Sequence, residues 1–296
     1  MGALALALVL ASALIHTTWN VLVKRAEDQF LFTWLLLVAS VILFTPIAVW
    51  SLWQGATVSE GGLVCIVGTT IAYGGYFTLL ARSYRFGDVS ISYPIARAVA
   101  PLATVFWGVL LLGERPSAAG IVGIALVVCA GVLLALPSGS FSGKLLPWKQ
   151  GRQSAAGAAA LSAVGTGLFS SAYSAIDKVG VSLVQPTLYI HLTFLGSVLV
   201  LWPVVQARYS RKTVLRTARE AFWPVVLAGA GCMGGYLLVL FALQQAPVSY
   251  VVPLRSTSIL FTVLAGGWAL REGELWRRLP LAAAIVAGVI LIAWRG

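Results

Sequence analysis

Long apolar stretches alternate with short charged or polar segments along the whole chain, and each stretch has the length of a membrane-crossing helix. The first half contains five such stretches, at residues 2–23, 30–52, 61–81, 88–112 and 118–137. The second half contains five more, at residues 155–178, 186–206, 222–243, 248–270 and 278–294. The pattern therefore predicts an all-α integral membrane protein with ten transmembrane helices.

Composition and charge support a membrane protein and suggest its orientation. Hydrophobic residues make up 59% of the chain and charged residues 10%, which no ordinary soluble domain shows. Most of the 20 Lys and Arg residues follow the odd-numbered helices, whereas Arg115, Lys178 and Arg295 lie on the other side. The positive-inside rule then places the basic segment 208–219 in the cytoplasm and both termini outside the cell membrane. We interpret that segment as a solvated loop rather than a site for anionic lipid or nucleic acid.

The two halves share short motifs in the same order. The matching sets are Trp19, Asn20 and Lys24 with Tyr173, Ser174 and Lys178; Gly74, Gly75 and Tyr76 with Gly234, Gly235 and Tyr236; Val89, Ser90 and Pro94 with Val248, Ser249 and Pro253; and Glu114 with Glu272. We therefore predict two five-helix repeats, residues 1–137 and 155–296, joined by a linker at 138–154. Because five is odd, the repeats enter the membrane from opposite sides, as in many secondary transporters.

These motifs resemble the EamA-type branch of the drug/metabolite transporter superfamily, over essentially the entire chain. The resemblance is carried by Trp19, Lys24, Val89, Ser90, Pro94, Pro101, Gly113 and Glu114, and by Tyr173, Lys178, Val248, Ser249, Pro253 and Glu272. The second repeat departs from the pattern, because Arg271 replaces the glycine and no proline corresponds to Pro101. Since members of this family carry different small solutes, the resemblance implies transport without naming a cargo.

Two arginines lie inside predicted spans, each close behind a proline. Arg97 follows Pro94 by three residues, and Arg255 follows Pro253 by two. An ionisable group inside a span needs a partner or a cavity. Pro94 and Pro253 are predicted to break or hinge their helices, and the backbone carbonyls that they free are typical of transporter binding sites. We expect these arginines, with neighbouring Tyr93, to bind a carboxylate, phosphate or phosphonate. The alternative is an internal ion pair or bonds to the freed carbonyls.

Helices 1 and 6 each carry polar and aromatic residues at helical spacing on one face. These residues are Ser12, His16, Trp19 and Asn20 in helix 1, and Ser170, Tyr173, Ser174 and Asp177 in helix 6. Because a polar solute needs such a lining, Trp19, Asn20, Tyr173 and Ser174 are predicted substrate ligands. The alternative, preferred for Ser12 and Ser170, is hydrogen bonding between helices.

Ionisable residues within spans are also candidates for proton coupling. They are His16, His191 and Asp177, and Asp177 is in addition the alternative partner of the two arginines. Lys24 and Lys178 are also candidate substrate ligands, but they lie near helix ends, where snorkelling explains them almost as well. Because no carboxylate other than Asp177 is a candidate for a mid-span position, the sequence favours anionic or zwitterionic cargo over lipophilic cations.

Other charged and glycine-rich motifs receive structural interpretations. Glu114 and Glu272 lie just past their spans, so we expect each to cap the next helix or to lock a gate by pairing with Arg115 or Arg271. Gly229, Gly231 and Gly234 spell GxGxxG, but they lie inside an apolar span and indicate a close helix contact rather than a dinucleotide site. No ATPase, metal or hydrolase motif occurs, so we expect no cofactor, no metal and no enzymatic activity.

The expected function is a secondary transporter, an exporter or exchanger, that moves a small anionic or zwitterionic metabolite by alternating access. Its site is expected between helices 1, 4, 6 and 9. The alternatives are a flippase for a lipid-linked polar head group, and a membrane enzyme or receptor that uses segment 208–219. Expected partners are a small-molecule substrate and membrane lipids, without nucleic acid, for a monomer or homodimer.

Overall fold

All regular structure in the described part of the chain is helical. The computed structural model describes residues 1–86, 89–135, 153–258, 260, 261 and 275–295. Its helices are α1 (Ala3–Arg25), α2 (Gln29–Trp53), α3 (Glu60–Phe86), α4 (Val89–Leu112), α5 (Ala118–Ala135), α6 (Gln153–Leu183), α7 (Pro186–Arg208), α8 (Arg211–Glu220), α9 (Phe222–Gln245), α10 (Val248–Arg255) and α11 (Leu275–Arg295).

The helices follow the predicted spans closely in the first eight cases. Among the described residues, six helices are long and apolar enough to cross a membrane, namely α1, α2, α3, α6, α7 and α9. Shorter apolar segments occur at Val99–Leu112, Ala118–Leu133 and Leu279–Trp294. The ninth predicted span differs, because α10 ends at Arg255 and residues 262–274 lie outside the described part. The structure thus supports an all-α, multi-pass membrane protein.

Packing divides the chain into two compact units, each with helices from both halves of the sequence. The first unit comprises Met1–Ala3, Gly75–Ala175 and Pro247–Gly296, and the second comprises Leu4–Gly74 and Ile176–Ala246. Their boundaries fall after the first residue of α1, inside α3, inside α6 and between α9 and α10. The compact units therefore do not coincide with the five-helix repeats.

In the second unit, α2 packs against α7 and α9, and glycine allows the α2–α9 contact. Ser40 donates a hydrogen bond to the carbonyl oxygen of Gly229 at 2.8 Å. A Cβ atom on Gly229 would lie 2.9 Å from the carbonyl oxygen of Leu36, too close for any other residue without a backbone shift. Gly231 and Gly235 lie against Ile15 of α1. The GxGxxG motif is thus a helix-packing surface.

In the first unit, α5 packs along α11, and α10 packs against α4 and α5. A Cβ atom on Gly123 would lie 2.7 Å from the carbonyl oxygen of Gly288, and one on Gly288 would lie 2.6 Å from the carbonyl oxygen of Gly123. The backbones of α5 and α11 therefore meet directly at these two glycines. Ala130, Leu260 and Ile285 form a small buried core nearby in the same unit.

The basic segment 208–219 is largely helical, which corrects the expectation of a loop. Ser210 precedes α8 and accepts a hydrogen bond from the backbone N–H of Thr213 at 3.1 Å, as an N-cap does. Arg216 and Glu220 are spaced for an exposed ion pair of 3.8 Å one turn apart. No residue of α8 is buried. The serine cap and the i, i+4 pair are local reasons for helix formation. The interpretation as a loop considered only the basic residues of the segment.

Tyr209, between α7 and α8, contacts the turn between α1 and α2. Its ring stacks on Phe30 with centroids 6.4 Å apart, and its hydroxyl shares a hydrogen bond with the Asp28 side chain. Burial, and then the hydrogen bond and charge of Asp28, raise the pKa of Tyr209 to about 12. The folded protein therefore retains this hydroxyl proton at a pH where unfolded tyrosine loses it.

A raised tyrosine pKa predicts an alkaline loss of stability at this contact. Its contribution is complete below the ordinary value of about 10 and is lost as pH rises through about 12. We expect Tyr209→Phe to remove one late tyrosinate transition from the ultraviolet titration of the folded protein. If the transition that the variant lacks lies instead at the ordinary tyrosine pKa, this account of Tyr209 is wrong.

Candidate functional site

Asp177 of α6 is fully buried, and its carboxyl oxygens are hydrogen-bonded to hydroxyl groups on three other helices. Its Oδ1 atom lies 2.7 Å from the Thr69 hydroxyl of α3 and 2.8 Å from the Tyr189 hydroxyl of α7. The Tyr236 hydroxyl of α9 donates to Oδ2. The Thr69 and Tyr189 oxygens are themselves 2.8 Å apart. These four residues, all in the second unit, are named the Asp177 cluster.

The local sequence positions each tyrosine of the cluster. Tyr189 lies in the first turn of α7, which begins at Pro186, a residue favoured at a helix start because it needs no N–H partner. Its ring packs on Gly180, where any Cβ atom would overlap the ring. The Tyr236 ring contacts Tyr73 of α3 edge to face, with centroids 6.4 Å apart. A glycine beneath one ring and an aromatic contact beside the other thus aim both hydroxyls.

A carboxyl group buried in a membrane helix is costly unless polar partners satisfy it. Asp177, Thr69 and Tyr189 are each 0% exposed, and Tyr236 is 5% exposed. The three hydroxyls supply that compensation. The arrangement can hold a carboxylate, or it can hold a carboxylic acid whose proton is shared within the network.

Lys178, next to Asp177 in sequence, caps the end of α9. Its Nζ atom donates to the carbonyl oxygens of Leu243 and Ala246, the second at 2.9 Å. The last carbonyls of a helix lack partners within the helix and carry partial negative charge, so a lysine there is stabilising. Gln244 adds a bond of 3.0 Å to the carbonyl oxygen of Val181. Capping, rather than snorkelling, accounts for Lys178.

The predicted ligands on α1 contact one another along the helix. The rings of His16 and Trp19 meet edge to face with centroids 4.9 Å apart. The Asn20 side chain donates to the carbonyl oxygen of His16 at 2.7 Å. All three are half-buried. His191 of α7 is 8% exposed, and its Nδ1 atom has no hydrogen-bond partner among the described residues.

The predicted ligands on α6 lie in the first unit and are buried. Tyr173 accepts a hydrogen bond from the Ser170 hydroxyl at 3.1 Å, and its ring contacts Tyr76 edge to face at 6.2 Å between centroids. Ser174 donates to the carbonyl oxygen of Ser170 at 2.9 Å, so its hydroxyl bonds to its own helix. This bond is an ordinary way to satisfy a serine in a membrane helix.

Helix α10 ends at Arg255, two residues after Pro253. The chain continues in a tight turn, in which the backbone N–H of Ser256 donates to the carbonyl oxygen of Pro253 at 2.9 Å. Arg255 is half-buried at this point. The Ser249 and Thr257 hydroxyls, both buried, have no hydrogen-bond partner in the described part of the chain. An arginine at a helix end inside an apolar segment is the geometry expected for an anion ligand or for a cap.

The corresponding helix of the first repeat is continuous. Helix α4 runs from Val89 to Leu112 across Pro94, so the predicted helix break at Pro94 is wrong. The side chains of Tyr93, Pro94 and Arg97 lie outside the described residues, so their predicted roles stay predictions.

Glu114 caps α10, a helix that begins 134 residues later. Its two carboxylate oxygens accept the backbone N–H groups of Val248 at 2.6 Å and Ser249 at 3.0 Å. Gly113 turns the chain at this point with a φ of 66°, a conformation that favours glycine. In return, the Tyr250 hydroxyl of α10 accepts the backbone N–H of Ser117 at 3.0 Å. Glu114 therefore caps a helix, but the helix is α10 and not the next helix along the chain, so that part of the expectation was wrong.

Sequence reasoning missed Thr69, Tyr189 and Tyr236 as partners of Asp177. Tyr236 had one signal, because it ends the Gly-Gly-Tyr motif that occurs in both halves. Thr69 was a polar residue within an uncharged stretch, and Tyr189 had no distinguishing pattern. Their shared role depends on contacts between helices that are distant in sequence.

Comparison with known proteins agrees with the helical repeats. The model of the EamA-like transporter family matches residues 3–136 and again residues 157–294. One solved structure, described only as the crystal structure of a protein, matches 98% of this chain and 96% of its own, with a TM-score of 0.73 and 16% identity. That likeness shows a shared fold. No curated protein matches the sequence. Because the family model covers most of both halves, the chain belongs to the EamA-like transporter family, whose members are transporters rather than enzymes, and is a multi-pass membrane transporter of the drug/metabolite transporter superfamily.

Proposed function

We propose that the protein is a secondary transporter that exports or exchanges a small anionic or zwitterionic metabolite by alternating access. The observation that carries the substrate class is the position of Arg255, half-buried where α10 ends within an apolar part of the chain. Arg97, on α4, is its approximate counterpart in the first repeat. We further propose a cell-membrane location with both termini outside, on the basis of the Lys and Arg distribution.

The argument for an anionic group is electrostatic. A guanidinium within a membrane segment is stabilised by partners that offer negative charge, and its planar set of donors fits a carboxylate or a phosphate in two bonds. In this proposal Tyr173 and Ser174, which lie in the same unit as Arg255, also bind the substrate. Trp19 and Asn20 of α1 stay ligands predicted from the sequence. Ser174 is the weakest of these ligands, because its hydroxyl donates to its own helix.

The test combines ligand-induced thermal stabilisation with uptake into proteoliposomes. Purified protein is screened against anionic, zwitterionic and cationic metabolites, and the stabilising compound is then used as the transport probe. Arg97→Gln and Arg255→Gln are each expected to weaken binding by roughly 10- to 100-fold, because a charge-assisted contact contributes about 1.5–3 kcal/mol. Saturable uptake should fall accordingly, while the variants remain folded.

The control neutralises an exposed basic surface of the same chain. The triple variant K212Q/R216Q/R219Q on α8 is expected to transport at the wild-type rate, because these side chains are exposed. Stabilisation by cations alone, or normal binding by both arginine variants, would show that the substrate class is wrong. Translocation of a lipid-linked head group without saturable solute uptake would instead establish the flippase alternative.

A further inference from the structure

We propose that Asp177 is a proton-binding site, in which the carboxylic acid form closes a ring of hydrogen bonds with Thr69 and Tyr189. The ring joins three helices of the second unit, α3, α6 and α7. That this proton is exchanged during transport rests on the proposed transporter function. The site itself rests on the geometry of the Asp177 cluster.

The number of protons in the ring is the first argument. The three oxygens lie 2.7, 2.8 and 2.8 Å apart in pairs, so each pair is at hydrogen-bond distance. The hydroxyls of Thr69 and Tyr189 supply one proton each, and an ionised carboxylate only accepts. Two protons can fill only two of the three oxygen–oxygen contacts. In the third contact, two oxygens would then face each other with lone pairs and no proton between them. A third proton, on Oδ1 of Asp177, allows each oxygen to donate to the next around the ring.

The second carboxyl oxygen is consistent with the same assignment. Tyr236 donates to Oδ2, which is the carbonyl oxygen and the better acceptor when the proton resides on Oδ1. Each described oxygen of the cluster then has a donor or acceptor role without conflict. A cyclic network in which every group both donates and accepts is also strengthened by mutual polarisation.

In the described part of the chain, the side chains that interact with Asp177 include three hydroxyl groups and one thiol. Among the described residues, α3 contributes Thr69 and Cys65, which interacts electrostatically with Asp177. Helix α7 contributes Tyr189, and α9 contributes Tyr236. On α6 itself, Lys178 directs its Nζ atom to the end of α9. The complete burial of the Asp177 carboxyl group favours a neutral acid over an ion.

The site belongs to one repeat only. The alignment that pairs Lys24 with Lys178 pairs Val23 with Asp177. Tyr76, the counterpart of Tyr236, packs its ring against Tyr173 instead. The first repeat folds without a carboxyl group at this position, so the fold itself does not require one. A carboxyl group that is costly inside a membrane helix and is not required for folding is typical of a functional group.

Loss of the proton has a defined structural consequence. The Oδ1–H bond breaks, the proton passes to water, and Asp177 becomes an acceptor of two hydroxyl protons. Because both hydroxyl protons then point to Asp177, no proton remains between the Thr69 and Tyr189 oxygens. The hydrogen bond that joined α3 to α7 is therefore lost. In a transporter, this change links proton release to a loosening of the second unit.

The test measures the acid directly by infrared difference spectroscopy of the full-length purified protein, scanned from neutral to alkaline pH. We expect the carbonyl band of a protonated, hydrogen-bonded carboxylic acid near neutral pH, and its complete loss in Asp177→Asn. Asp28→Asn is the matched control, because Asp28 caps α2 outside the cluster and should leave the band unchanged. A wild-type spectrum without the band, or a band that persists in Asp177→Asn, would overturn the proposal.

A second measurement keeps the proposal testable if Asp177→Asn folds poorly. Thr69→Val has nearly the same shape but removes one oxygen of the ring. Because the acid then loses a hydrogen-bond partner, we expect its carbonyl band to shift in frequency from the wild-type position, together with a fall in melting temperature. A band at the wild-type frequency would overturn the ring. Neither readout requires transport, so failed uptake with a retained band would refute only the proposed function.

Discussion

Replacing Glu114 with alanine is expected to destabilise the protein by about 2–3 kcal/mol. The carboxylate accepts the first backbone N–H groups of α10 at 2.6 and 3.0 Å, and these donors have no partners within the helix. A negative charge at this end also complements the helix dipole. Without it, two partly buried donors lose a charged acceptor. The fall should appear as a lower melting temperature in detergent.

Two further variants separate the cap from a general loss of charge. Glu114→Gln keeps one good acceptor but no charge, so we expect roughly half of the loss. Glu220→Ala removes a carboxylate from an exposed pair of 3.8 Å on α8, for which about 0–1 kcal/mol is expected. Equal melting temperatures for Glu114→Ala and Glu220→Ala would contradict the capping role. Because α10 ends at Arg255, we also expect Glu114→Ala to weaken substrate binding.

Replacing Gly123 with alanine is expected to cost about 1–3 kcal/mol, because the new methyl group has no room. Its Cβ atom would lie 2.7 Å from the carbonyl oxygen of Gly288 and 2.9 Å from the Ile292 side chain. Backbone cannot rotate away as a side chain can, so α5 and α11 would have to separate. The change is measured as a shift in thermal unfolding of the purified protein.

The same substitution at an open position provides the control. At Gly157 of α6, no atom lies within 4 Å of the position that a Cβ atom would take, so Gly157→Ala should gain about 0.5–1 kcal/mol from helix propensity alone. Both substitutions gain the same helix propensity. The difference between their unfolding free energies therefore measures the steric cost at Gly123. A Gly123→Ala protein as stable as Gly157→Ala would show that α5 and α11 do not meet closely at Gly123.

Local patterns account for the parts of the structure that sequence reasoning predicted. The bounds of α1, α2 and α7 follow from uncharged stretches of the right length, since leaving backbone or charge unsatisfied in lipid is costly. That Glu114 caps a helix was expected from its place after a span, but that the helix is α10 was not. In segment 208–219, the run of basic residues suggested a loop, whereas the Ser210 cap and the spacing of Arg216 and Glu220 favour a helix. The prediction of a loop was therefore wrong.

The candidate site divides in the same way. The sequence identified Asp177 as an ionisable residue inside a span, and Lys178 as a charge near a helix end. It did not show that Asp177 meets three hydroxyls, or that Lys178 caps α9. Arg97 remains a prediction from sequence alone, because its side chain lies outside the described residues.

The sequence by itself determined that this protein is a helical membrane transporter with two related halves, because hydrophobic length and repeated motifs are read along the chain. Only the tertiary structure decided that Thr69, Tyr189 and Tyr236 surround Asp177, since they lie on α3, α7 and α9. It also decided that compact units combine helices from both halves. Such contacts depend on which helix faces pack together, and no local pattern in a single sequence specifies that choice.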